Sequence, residues 1–115
     1  MQIFSERDVN KEQLESRKIT ILGFGSQGRA HAMNLKDSGL NVVVGLRQNG
    51  SSWDKAIDDG LNVLEPDEAV FDSDLISFLV PDMAQPELYA SLESKIKNSA
   101  TLLFAHGFNL RSVVV

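Results

Sequence analysis

Short, nearly unbroken apolar runs recur along the chain, and the stretches between them carry apolar residues three or four positions apart. The runs Ile19/Ile21/Leu22, Val42/Val43/Val44, Leu75/Ile76/Phe78/Leu79/Val80 and Leu102/Leu103/Phe104 have the continuity expected of parallel strands covered on both faces. They predict strands over Lys18–Gly23, Asn41–Gly45, Asn62–Leu64, Asp74–Val80 and Ala100–Phe104. A helix is predicted over Ser26–Ser38, with Ala30, Met33 and Leu35 on one side and Gly39 as a left-handed C-cap. Another runs from about Ser52 to Asp59 and stops at Gly60 in the same way, and Pro66 opens a short third. The fourth, Gln85–Ile96, spaces Leu88, Leu92 and Ile96 four apart. Strand and helix alternate, so the fold predicted is α/β. Right-handed crossovers make it a Rossmann-type doubly wound parallel sheet, ordered 3-2-1-4-5 with helices on both faces. Ligands of such sheets bind beyond the carboxyl ends of the strands, which directs attention to the residues just after each strand.

Composition narrows the partners. A chain of 115 residues, 43% hydrophobic, is read as a single domain over 1–115 with a core of its own. Its net charge of -5 and lack of clustered Lys and Arg argue against a nucleic-acid surface. No run approaches the ~18 apolar residues of a membrane span, and "MQIFSERDVN" lacks a basic head and apolar signal core; a cytosolic protein is expected. Without cysteine, and with only 2 histidines far apart, no metal-ligand spacing is present. A phosphate would have to be captured locally by a few well-placed groups.

The residues after strand 1 offer such groups. Gly23, Phe24, Gly25, Ser26, Gln27 and Gly28 spell G-x-G-x-x-G between a predicted strand and a predicted helix. The first glycine permits a tight turn, the second lets backbone approach a pyrophosphate, and the third lets helix pack on strand. A dinucleotide facing the helix-start amides is one reading; a purely structural tight turn is the other. After strand 2, where NAD-binding domains place an acid for the ribose hydroxyls, the chain reads Gly45-Leu46-Arg47-Gln48-Asn49-Gly50-Ser51-Ser52-Trp53. Arg47 can meet a 2′-phosphate through its planar fork, with hydroxyls from Ser51 and Ser52 beside it; the alternative is a solvated Arg47 and a Ser52 helix cap. After strand 4, Pro81 ends the strand and Asp82 to Gln85 would line the crevice near the dinucleotide's middle and nicotinamide ribose, or Asp82 would merely cap the next helix. After strand 5, His106 stands in a glycine-containing turn, where it can exchange a proton near neutral pH. His31 lies inside the first helix and is read as a packing or surface residue.

Taken in order, "GFGSQGRAHAMNLKDSG", "VVVGLRQNGSSWDKA", "DGLNVLEPDEAV", "LVPDMAQPELY" and "FAHGFNL" resemble the N-terminal domain of ketol-acid reductoisomerase, through essentially the whole chain to about Leu110. The resemblance implies an NADPH-dependent enzyme of branched-chain amino-acid biosynthesis. Such an enzyme shifts an alkyl group within 2-acetolactate or 2-aceto-2-hydroxybutyrate and reduces the product to a 2,3-dihydroxy acid, with Mg2+ polarising the substrate oxygens. It implies that Phe24, Gly25, Ser26 and Gln27 touch the cofactor phosphates and that Arg47, Ser51 and Ser52 hold the 2′-phosphate. It further implies that Asp82, Met83, Ala84 and Gln85 line the cleft and that His106 is the active-site histidine.

The chain departs from the family in several places. Members usually carry Tyr at Phe24 and His at Arg29, and Arg29 near a helix start is electrostatically odd unless a phosphate is close. The family's second, all-helical domain, with the metal-binding carboxylates, has no counterpart in these residues; acidic pairs such as Asp58/Asp59 read as solvated helix surface. Two other functions therefore stand beside an NADPH-binding half that is inactive alone: a free-standing NADP(H)-binding or redox-sensing module, and the nucleotide domain of a hydroxyacid dehydrogenase relative. The partner expected is a separate helical domain or a second copy, because strand 5 would be an open edge and the tail Val113-Val114-Val115 is strand-prone.

Overall fold

The computed structural model describes residues 17–80, 84–106 and 109–114, with backbone alone from residue 105 onward. The elements follow in the order β1 (Lys18–Leu22), α1 (Ser26–Asp37), β2 (Asn41–Gly45), α2 (Ser51–Asp58), β3 (Asn62–Leu64), α3 (Pro66–Val70), β4 (Leu75–Phe78), α4 (Gln85–Leu92), a 3-10 turn (Glu93–Lys95), β5 (Thr101–His106) and β6 (Asn109–Val114). They form a 6-stranded sheet ordered β3-β2-β1-β4-β5-β6. The first five strands are parallel, as the alternating pattern predicts, with Ile19 beside both Val42 and Leu75 in register.

Beyond the five expected strands, Asn109–Val114 folds back antiparallel on β5, pairing Thr101 with Val114 and His106 with Asn109. The tail therefore pairs with β5 within its own chain, and β6 in place of β5 is the last strand on that side of the sheet.

Alternation along β1 divides the core. Ile19 and Ile21 face a cluster with Val42, Val44, Ala32 and Ala56, beneath α1 and α2. Leu22 faces the other side, with Val70, Ile76, Phe78, Leu92 and Leu102, beneath α3 and α4. There Phe104 stacks on Phe78 at 4.7 Å between ring centroids, and Tyr89 meets both edge-on. Thr20 is polar yet fully buried on this side. Its hydroxyl donates to the Ala69 carbonyl at 2.7 Å and meets the Ser73 hydroxyl, so the burial leaves no orphaned group.

Local details depart from the pattern for identifiable reasons. On α1 the buried positions are Gly28 and Ala32, whereas Ala30 is exposed; the face packed on the sheet follows i, i+4 from the third glycine. The stretch predicted as one helix to Ile96 leaves α-geometry after Leu92 and ends in the 3-10 turn. Gly39 and Gly60 close α1 and α2 with φ of 80° and 81°, the left-handed caps expected of them.

Candidate functional site

The turn from β1 into α1 gives each glycine of the motif a separate reason. Gly23 has φ 104°, and a Cβ there would lie 2.7 Å from the carbonyl oxygen of Leu79, the residue just after β4. A Cβ on Gly28 would stand 2.7 Å from the Gly23 oxygen, so the absent side chain lets α1 sit directly on the turn. Gly25 differs. Its φ of -69° suits any residue, and nothing lies within 4 Å of where its Cβ would be. The protein itself gives no steric reason for a glycine at this position, and no side chain caps the helix that starts there. A ligand that must approach the backbone supplies the reason, and the amides of the first turn supply its donors.

Around this turn, Ser26 is exposed and Gln27 half-buried, both within the first turn of α1. Phe24 is buried in the core beneath α1, at 7% exposure, so only its main chain can face a ligand. That placement also explains how a ring without a hydroxyl suits the position.

Arg47 is exposed just beyond β2, and its guanidinium forms no ion pair or hydrogen bond with any of the described residues. The loop carrying it is held from two sides: the Leu46 amide donates to Leu64 O of β3 at 2.9 Å, and within the loop the Gly50 amide donates to Arg47 O at 3.0 Å. Helix α2 begins at Ser51, one residue earlier than predicted, with Gly50 at its N-cap and no side-chain cap. Ser52 is thus not a cap, and the Ser51 and Ser52 hydroxyls lie in the first turn beside the Arg47 loop.

A cavity of about 410 Å³ lies between these loops, walled by Gly23, Leu46, Arg47, Val80, Ala84 and Leu88. Its apolar lining from Leu46, Val80 and Leu88 suits a flat ring system, and Leu22, Gly45 and Val80 in its wall place it at the carboxyl ends of β1, β2 and β4. Ala84 is exposed on this wall; Gln85 is buried and donates Nε2 to the Val80 carbonyl at 3.0 Å. Asp82 and Met83 lie outside the described residues, as does the side chain of His106, whose backbone ends β5 two positions past the Phe78–Phe104 pair. Sequence reasoning missed Leu46 and Leu88 as lining residues, and it missed Glu65. The side chain of Glu65 reaches the Arg47 loop, its Oε1 accepting the Gln48 amide at 3.0 Å.

Arg29, which the sequence left seeking an anion, has a protein partner instead. Its guanidinium binds Asp59, and the hydrogen bond holds the Asp59 carboxyl below and Arg29 above their ordinary values. Asp59 is therefore not the solvated surface acid expected. Among the described residues no group of three His, Asp or Glu side chains is placed to hold a metal ion, so they offer magnesium no ligand set. No described helix is long and apolar enough to cross a membrane.

The family model for the acetohydroxy acid isomeroreductase NADPH-binding domain (KARI_N) matches residues 13–115. The chain belongs to that family. It covers the NADPH-binding domain of ketol-acid reductoisomerase, the enzyme also called acetohydroxy acid isomeroreductase. Ketol-acid reductoisomerase (NADP(+)) of Saccharolobus solfataricus is 50% identical over 109 residues, 94% of this chain and 32% of that protein. The enzyme of the same name from Methanococcus maripaludis is 48% identical over 111 residues, 96% of this chain and 34% of the relative. The chain thus spans about a third of the length of these curated relatives. Among solved structures, an NADH-preferring ketol-acid reductoisomerase from an uncultured archean superposes with a TM-score of 0.78 at 38% identity, covering 94% of this chain and 34% of that one. A D-lactate dehydrogenase from Treponema pallidum, at 24% identity and TM-score 0.62 over 88% of this chain and 30% of that one, shares the fold alone.

Proposed function

We propose that the chain serves as the cofactor-binding half of a cytoplasmic ketol-acid reductoisomerase of branched-chain amino-acid biosynthesis, binding NADPH without turning over acetohydroxy acids by itself. The open backbone at Gly25 carries this reading, because a diphosphate over that residue explains a glycine that no protein contact requires. In it, Gly25, Ser26 and Gln27 present helix-start amides to the diphosphate, Phe24 contributes through its main chain, and Gly23 and Gly28 shape the turn. Arg47, with the Ser51 and Ser52 hydroxyls, holds the 2′-phosphate; Leu46 and Leu88 flank the adenine. Asp82, Met83, Ala84 and Gln85 line the cleft toward the nicotinamide, where the bound cofactor supplies hydride. His106, at the carboxyl end of β5, orients or relays a proton near the substrate.

The whole enzyme's chemistry, alkyl migration in 2-acetolactate or 2-aceto-2-hydroxybutyrate followed by reduction, needs a metal-binding carboxylate set, and the described residues offer none. The helical domain of the family would supply it, as a partner of this one. Calorimetric titration tests the assignment: NADPH should bind with measurable heat, and magnesium-dependent oxidation of NADPH by 2-acetolactate should be absent. No heat with either pyridine dinucleotide would overturn the binding reading, and turnover by the 115-residue chain would overturn the division of labour.

A further inference from the structure

We propose that Glu65 sets how strongly the crevice distinguishes a dinucleotide with a 2′-phosphate from one without it, by fixing a carboxylate against the loop that carries Arg47. The inference rests on the assignment of Arg47 to the 2′-phosphate and deepens it.

Glu65 stands immediately after β3, at the N-cap position of α3, yet no side chain caps that helix. Its carboxylate turns instead toward β2, where Oε1 accepts the main-chain N–H of Gln48 at 3.0 Å. That amide is the one next to Arg47, in a loop already braced by the Leu46–Leu64 and Gly50–Arg47 hydrogen bonds. Arg47, Gln48 and Glu65 line one groove of about 590 Å³, which Asp67 and Lys95 also enter. The last two satisfy each other, Lys95 Nζ lying 3.7 Å from Asp67 Oδ2. Glu65 and Arg47 are then the charges of the groove with no ionic partner among the described residues.

Two physical effects oppose a phosphate here. A 2′-phosphate seeks main-chain donors as well as guanidinium, and Glu65 already occupies the Gln48 donor. Its negative charge also repels a phosphate dianion in the same groove, whereas a carboxylate suits the free hydroxyls of an unphosphorylated ribose. Many NAD-binding domains place an acid at the end of the second strand for that purpose. The second strand here ends without one, and the fold delivers a carboxylate to the same loop from the third. Arg47 and Glu65 therefore pull in opposite directions, leaving a smaller preference for NADPH than Arg47 alone would give.

A charge series at one position reads this out. The ratio of the NADH to the NADPH dissociation constant is measured by calorimetry for wild type, Glu65→Gln and Glu65→Lys, at low and at high ionic strength. Glu65→Gln should raise the preference for NADPH about two- to fivefold, the range of one solvent-screened charge interaction, and Glu65→Lys should raise it further. High salt should shrink both gains. Glutamine still offers an oxygen to the Gln48 amide, so a carboxylate that only braced the loop would give a wild-type ratio in Glu65→Gln and equal losses for both cofactors in Glu65→Lys. That pattern overturns the proposal while leaving the Arg47 assignment standing. Failure of the wild-type chain to bind NADPH would remove the assignment itself, and Glu65's role with it.

Discussion

Arg29 lays its guanidinium across the carboxylate of Asp59, with Nε 2.9 Å from Oδ2 and a terminal nitrogen 3.1 Å from Oδ1. The pair ties the amino-terminal part of α1 to the end of α2. A guanidinium used this way is not free for a phosphate. Arg29→Ala should therefore change NADPH affinity less than about twofold, while causing a small loss of thermal stability that high salt abolishes, as for other exposed ion pairs. Calorimetry and thermal denaturation at two ionic strengths check both halves; a large loss of NADPH affinity would reassign Arg29 to the cofactor.

Gly25 and Gly28 make opposite predictions under the same substitution. Gly28→Ala forces a Cβ to 2.7 Å from the Gly23 oxygen, a backbone atom that cannot move aside cheaply, and should cost roughly 1–3 kcal/mol of folding stability as other overpacked sites do. Gly25→Ala meets open space at an ordinary φ and should unfold at the wild-type temperature, yet lose dinucleotide affinity by about tenfold or more, because under the proposed function its methyl would stand where the diphosphate docks. Denaturant titration and calorimetry on both variants separate fold from binding. Equal affinity in Gly25→Ala and wild type would show that nothing docks over that residue.

Arg47→Asp tests the other anchor. Each charge-assisted hydrogen bond is worth about 1.5 to 3 kcal/mol, so removing the guanidinium should weaken NADPH roughly 10- to 1,000-fold. NADH should lose little, since it lacks the group that Arg47 would hold. The half-buried Trp53, in the first turn of α2, provides a fluorescence readout close to the loop. Equal losses for both cofactors would mean that Arg47 does not read the phosphate.

These residues also mark how far the sequence was readable. The glycine turn and the parallel strands were legible because backbone geometry and two-sided burial constrain residue type locally, at Gly23 as in Val42–Val44. Pairings across the chain leave no such trace: Arg29 and Asp59 are 30 positions apart, and nothing near either names the other. The valine tail read correctly as strand-prone, but propensity does not choose a partner, and the hairpin back onto β5 satisfies the edge locally. Glu65 was within reach. The rule that directs attention to residues just after each strand, applied to β3 as it was to the others, arrives at it directly. Its route to the Gln48 amide, however, depends on the close parallel pairing of β2 with β3.

Far from the crevice, at the amino ends of the strands, Asp74 gathers the Lys18 amide at 2.8 Å, Lys97 Nζ at 2.6 Å and the Arg17 guanidinium at 4.0 Å. Burial opposes its ionisation, but Lys97, the Lys18 amide and Arg17 outweigh that and hold the carboxyl below the usual range; Asp74 in turn raises Lys97. A depressed carboxylate contributes stability that is whole above the unfolded value of about 3.9 and disappears as pH falls through the folded value. The raised lysine contributes stability below its unfolded value of about 10.4 and loses it as pH climbs through the folded one. Asp74→Asn should therefore cost roughly 1–3 kcal/mol at neutral pH, where charge-assisted hydrogen bonds are lost. It should also flatten the acid and alkaline limbs of a melting-temperature profile while leaving NADPH affinity unchanged. Wild-type and variant profiles that run parallel below pH 4 would show that Asp74 is not the group whose protonation weakens the fold.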